Sequence, residues 1–147
     1  MRFGVYPGGP AGGAGTELTI GPPDDPERIG TALADLSVPF VRCYAGFWDP
    51  PGRDWDTPAD PRRYATHGRR LDLVLQYQSA SGDVAGFVEF VRDRVRVLGP
   101  YAETIQICEE PNLDRPLLDG SSPRVREALT RALPVARAEA DALGLYV

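Results

Sequence analysis

Two glutamates stand side by side at Glu109 and Glu110, directly after Thr104-Ile105-Gln106-Ile107-Cys108, a run with the character of a strand. Adjacent carboxylates on an extended segment project in different directions. One can enter a pocket while the other meets an arginine behind it. A carboxyl group in apolar, aromatic surroundings has its pKa raised, which suits a general acid at neutral pH. Two solvated loop acids ahead of a proline turn are the plainer reading of the same residues. Other polar and aromatic residues gather where apolar segments end: Tyr6, Arg42 with Tyr44, and Gln76 with Gln78. Tyr44, Phe47, Trp48 and Trp55 can offer flat faces to the apolar side of a sugar ring, or can pin a loop beside Pro50-Pro51. Gln76 and Gln78 can bond sugar hydroxyls or simply be solvated.

Several other chemistries lack their residues. His67 is the only histidine, and it falls among arginines on a surface-like stretch, so a histidine-pair zinc site is excluded. Cys43 and Cys108 are too few for a disulfide scaffold or a cysteine zinc site, and both read as buried free thiols. No serine sits in a G-x-S-x-G elbow, and no G-x-G-x-x-G or Walker pattern is present. No metal or organic cofactor is expected.

The elements that carry these residues follow a regular order. Strand-like segments at 2–6, 40–44, 71–77 and 104–108 alternate with helical ones. Asp25-Pro26-Glu27 opens the first helix, with Ile29, Leu33 and Leu36 at helical spacing. A short helix is expected over 60–69. Asp83 caps an amphipathic helix whose stripe is Val84, Phe87, Val88, Val91, Val95 and Leu98, stopped at Gly99-Pro100. Ser122-Pro123 opens a last helix, and Leu145-Tyr146-Val147 reads as a fifth strand beginning. The segments 7–23 and 46–61 are rich in Gly and Pro and read as loops. This β-α order predicts a parallel sheet with right-handed crossovers, as a doubly wound sheet or as part of a (βα)8 barrel. The glycines after the first strand lie well before the next helix, which favours the barrel.

With 147 residues the chain suits one domain. Its net charge is −5, and all 16 basic residues are arginine. Scattered arginines on an acidic chain make a poor nucleic-acid surface. No apolar run approaches the ~20 residues of a membrane span, and the start, Met-Arg-Phe-Gly-Val-Tyr, shows no signal peptide. The expectation is no membrane and a cytoplasmic location by default.

Ile105-Gln106-Ile107-Cys108-Glu109-Glu110-Pro111-Asn112 resembles the fourth-strand motif of the clan A glycoside hydrolases, the (βα)8-barrel retaining glycosidases. That motif runs from an apolar strand into Trp-Asn-Glu-Pro-Asn or a close relative. The resemblance places the acid/base glutamate on Glu110, and puts Glu109 where the family has the asparagine that contacts the sugar 2-hydroxyl. Cys108 stands at the tryptophan position. Phe40-Val41-Arg42 supplies the arginine that the family carries at the end of strand two, near the nucleophile. The implied fold is α/β of TIM-barrel type, with residues 1–147 forming one domain: the first four βα units and the start of strand five. The implied activity is retaining hydrolysis of a β-linked glycoside, with Arg42, Tyr44, Trp48, Gln76, Glu109 and Asn112 around the sugar. The nucleophile, a strand-seven glutamate in the family, is expected outside this chain, since a full barrel takes about 250 residues. A longer enzyme, a half-barrel pairing with a second copy through open sheet edges, and an independent open-sheet protein all fit that length. A non-catalytic carbohydrate- or protein-binding half-barrel is the alternative function.

Overall fold

The computed structural model describes residues 3–8, 11–12, 18–19, 25–49, 55–116 and 118–146. Its main sheet contains β1 (Gly4–Val5), β4 (Phe40–Asp49), β6 (Arg70–Ser79) and β7 (Ala102–Ile107), all parallel and adjacent in that order. β2 (Ala11–Gly12) and β3 (Leu18–Thr19) form a small antiparallel pair inside the expected first loop, most of which lies outside the described residues. β5 (Trp55–Thr57) pairs antiparallel with Tyr44, Ala45 and Gly46 in the middle of β4. The helices are α1 (Pro26–Asp35), α2 (Val84–Leu98) and α3 (Val125–Ala142). The protein is therefore α/β, a parallel sheet of βα units.

Local chemistry sets the helix starts. The Asp25 carboxylate accepts from the N–H groups of Glu27 and Arg28, both at 3.1 Å, and Pro26 takes the first turn of α1. Asp83 accepts from Gly86 N at 2.8 Å and starts α2. α3 begins later than Ser122-Pro123, after Arg124 in a left-handed conformation (φ 61°). The helix expected over 60–69 is a single 3-10 turn, Pro61–Tyr64, introduced by its proline. No fifth strand follows α3 among the described residues. Leu145 instead folds back, its N–H donating to Ala140 O at 2.9 Å and its side chain packing on the core. Val147 lies outside the described residues.

Strand alternation divides the sheet into two unlike faces. Val41, Cys43, Ala45 and Phe47 of β4 join Leu71, Leu73, Leu75 and Tyr77 of β6 on one face, all buried. α2 covers them with Phe87, Val91, Val95 and Leu98, and Leu33 of α1 enters the same core. Phe47, Tyr77, Phe87 and Phe90 pack ring on ring, with centroids 4.9–6.3 Å apart. α3 turns a stripe of alanines inward, Ala128, Ala132, Ala136 and Ala140, and lies close against α2. Arg92 and Arg96 of α2 both reach Glu139 of α3, at 3.2 and 2.8 Å.

The opposite face carries Arg42, Tyr44, Gly46 and Trp48 on β4, then Asp72, Val74, Gln76 and Gln78 on β6. A register irregularity between Leu71 and Asp72 skips Glu103 and sets Thr104 and Gln106 of β7 opposite Asp72 and Val74. Polar side chains on neighbouring strands thus share one face.

Candidate functional site

Arg42 is the hub of that face. It stands in the first half of β4 rather than at the strand end expected for it, because β4 runs on past Tyr44 to Asp49. Its Nη1 donates to Asp72 Oδ2 at 2.8 Å, its Nε to the Tyr44 hydroxyl at 2.8 Å, and its Nη2 to Gln106 Oε1 at 3.1 Å and Glu109 Oε1 at 3.4 Å. A planar guanidinium can serve acceptors from β4, β6, β7 and the segment beyond because its donors fan out in one plane. Burial pulls the Arg42 guanidinium down, but its bonds to Tyr44 and Asp72 outweigh that and hold it above its ordinary value. Thr104 Oγ1 donates to the second Asp72 oxygen, so the counter-ion is itself held.

Glu109 is the focus. The Tyr44 hydroxyl donates to its Oε1 at 3.0 Å and Gln76 Nε2 to its Oε2 at 2.9 Å. Arg42 Nε, Tyr44 and Glu109 form a one-way chain of donors, from guanidinium to phenol to carboxylate. Burial, ahead of the other contributions, raises the pKa of Tyr44, so the phenol keeps the proton it donates. Tyr6 meets the Tyr44 ring edge-on at 5.1 Å and shares a 2.8 Å hydrogen bond with Thr57 Oγ1, which walls this side of the site.

The backbone places the two glutamates differently. Cys108 N closes the ladder on Leu75 O at 2.9 Å, and the chain then turns through Cys108 (φ 61°) and Glu110 (φ 47°), both left-handed. Glu109 points to the polar face between them and is partly buried, whereas Glu110 is exposed at the rim and stands outside the network. Asn112 is exposed on the next turn, which Leu113 N closes on Glu110 O at 3.0 Å. Of the residues singled out from the sequence, the fold gathers Arg42, Tyr44, Gln76 and Glu109, with Glu110 beside them. Asn112 is not drawn in.

Trp48 lies further along β4, opposite Gln78. With Ser79, Leu118, Ser121 and Ser122 they line a hollow of about 220 Å³ that has no charged side chain in its wall. Behind it, the buried Asp49 carboxylate accepts from the hydroxyls of Ser79 and Ser81 and from Ser81 N, and those bonds pull its pKa down. Trp55 crosses β4 at Gly46, where a β-carbon would lie 2.6 Å from the indole. A larger hollow of about 440 Å³, next to Val38, His67 and Arg69, opens at the other end of the strands, away from both glutamates.

Asp72, Gln106 and Asp119 were not singled out from the sequence. Asp72 and Gln106 carried a signal, since each interrupts an apolar strand at the parity of Arg42 and Gln76. Asp119 lies in Leu118-Asp119-Gly120-Ser121, which reads as an ordinary loop, yet its carboxylate accepts the Glu109 N–H at 2.7 Å.

Both cysteines are buried and free, and burial pushes Cys43 up to about 12 and Cys108 upward as well. Among the described residues no three His, Cys, Asp or Glu side chains are grouped to hold a metal ion, and no helix is long and apolar enough to cross a membrane. Compared with known proteins, the chain matches no family model, no curated protein and no solved structure.

Proposed function

We propose that the chain is the N-terminal half of a (βα)8 barrel that processes β-linked glycosides, with Glu110 as the acid/base. The observation that carries this reading is the convergence of Arg42, Tyr44 and Gln76, from neighbouring parallel strands, on Glu109, the carboxylate next to Glu110, just past the C-terminal end of β7. Barrel enzymes of every chemistry build their sites at that end. Strand order supports the same reading. A doubly wound sheet reverses direction and carries helices on both faces. Here consecutive βα strands lie in sequence and the helices share one face.

In this proposal the polar face lines the barrel interior, with Glu109 and Glu110 at its mouth. Glu110, exposed at the rim, protonates the leaving oxygen and then activates water. A nucleophilic carboxylate from outside this chain stands about 5–5.5 Å from it, the spacing of a retaining pair. Glu109 fills the position of the family asparagine, and Arg42 supplies the positive charge that orients the anionic groups. Trp48, Gln78 and the serines of the uncharged hollow bind a further part of the same neutral ligand. No metal or cofactor enters the chemistry.

Substituting Glu110→Gln in the protein with its barrel complete should lower turnover of glycosides with poor leaving groups by roughly 10²–10⁴-fold. Activated aryl glycosides should lose much less, because they need little protonation. Undiminished turnover on the poor leaving groups would discard the assignment.

A carboxylate at the asparagine position also fits a non-catalytic carbohydrate- or protein-binding half-barrel. Calorimetry with oligosaccharides separates the readings: heat of binding without released product supports the module.

A further inference from the structure

Asp119 opens the 3-10 turn Asp119–Ser121 ahead of α3 and is wholly buried. Its Oδ2 accepts the Glu109 N–H at 2.7 Å, while its Oδ1 is buried with no hydrogen-bond partner among the described residues. That bond ties down the one residue between two non-glycine left-handed positions, Cys108 and Glu110. Such backbone conformations persist only where the surroundings over-determine them. Gly120 completes the contact. A β-carbon there would meet the Leu113 backbone at 2.4 Å, so the turn carrying Asp119 lies directly against the loop that follows Glu110.

We propose that Asp119 is a positioning residue, which holds the Cys108–Glu110 turn and thereby aims Glu109 into the polar network and Glu110 onto the rim. The consequence for catalysis rests on the function proposed above; the positioning itself does not. An amide bond to an ionised carboxylate is stronger than one to a neutral acid, so the tie tightens as Asp119 loses its proton.

The surroundings bring that change close to neutrality. Burial raises Asp119 to about 7, against the backbone N–H groups of Tyr77 and Glu109, with the Glu109 charge adding to the rise. Among the described residues no cation is paired with Asp119. Arg124, at the start of α3, is taken by Glu127 and the Gly82 carbonyl, and Arg42 serves its own four acceptors. The Cys108 thiol is pushed upward and carries no charge at neutral pH.

The test is an NMR titration of the ¹³C,¹⁵N-labelled 147-residue chain between about pH 5 and 9. The Glu109 amide should move in one step with a midpoint near that of the Asp119 carboxyl carbon. In Asp119→Asn, whose side-chain carbonyl can still accept but does not titrate, the step should vanish while the amide stays protected. In Asp119→Ala the amide should exchange at least about tenfold faster, the loss of one hydrogen bond. A Glu109 amide that titrates unchanged in Asp119→Asn, or keeps its protection in Asp119→Ala, would overturn the proposal. Should neither variant fold, the parent chain decides: an Asp119 carboxyl that titrates without moving the Glu109 amide has the same consequence. None of these readouts uses a sugar, so a failed glycosidase assay and a failed positioning role are told apart.

Discussion

At the scale of single residues, Arg42 shows why a side-chain type is required rather than a charge. Its four acceptors, Tyr44, Asp72, Gln106 and Glu109, surround a planar fork of donors. An ammonium on a flexible stem cannot span them. Arg42→Lys should therefore behave more like Arg42→Met than like the parent. Both should lose about 1–2 kcal/mol in denaturant unfolding, a figure kept low because the pairs are partly exposed to solvent. Parent-like stability in the lysine variant would mean that net charge alone suffices. Two buried acids make a contrasting pair. Bonds from Ser79 and Ser81 depress Asp49, so its contribution is present above the ordinary value of 3.8 and is lost as pH falls through the lower folded value. Burial raises Asp119 to about 7, so its contribution is full below 3.8 and is lost as pH rises through 7. Asp49→Asn should accordingly cost about 2 kcal/mol at neutral pH. Asp119→Asn should gain on the parent steadily between pH 4 and 7. Urea midpoints across that range would check both signs.

At the scale of elements, β4 works because of one missing side chain. Its alternation is apolar toward the helices and polar or aromatic toward the open face, except at Gly46, where the Trp55 indole of β5 lies against the backbone. Any side chain at that point displaces the ring. Gly46→Ala should cost about 1–3 kcal/mol and expose Trp55, seen as a red-shifted emission in a Trp48→Phe background. An unshifted spectrum would show that the strand accommodates the methyl by moving elsewhere. The strands themselves were readable in advance from their apolar alternation, and Asp25 and Asp83 marked two helix starts. β4 outran its expected end at Tyr44 because Gly46 and Asp49 look like loop residues. Only pairing with β6 on one side and β5 on the other keeps that stretch extended.

At the scale of the whole molecule, the sheet is packed on one face and polar on the other, with β1 and β7 at its edges. Interior strands lose their amides to solvent only through larger openings. Hydrogen exchange should therefore be slowest in β6 over Leu71–Leu75, where it is bracketed by β4 and β7, and faster at the outward-facing amides of β7. Equal protection in β7 and β6 would mean that another strand covers that edge, as pairing of two half-barrels requires. A native mass of twice 16.0 kDa would then identify the strand as a second copy's.

The amino-acid order alone specified the alternation of strands and helices, the caps that start two of the helices, and a pair of carboxylates at a strand end. These follow from steric and hydrogen-bonding preferences between near neighbours, which a short window of residues contains. Which glutamate meets Arg42 was set elsewhere. Arg42 and Glu109 are 67 positions apart, and their contact depends on the register of β4 on β6 and of β6 on β7. Asp119 reaches back ten residues from a turn with no regular pattern, and Trp55 finds Gly46 across a strand pairing. Contacts of this kind exist only once the core under the sheet has closed, because burial on the helix face is what holds the strands in that register.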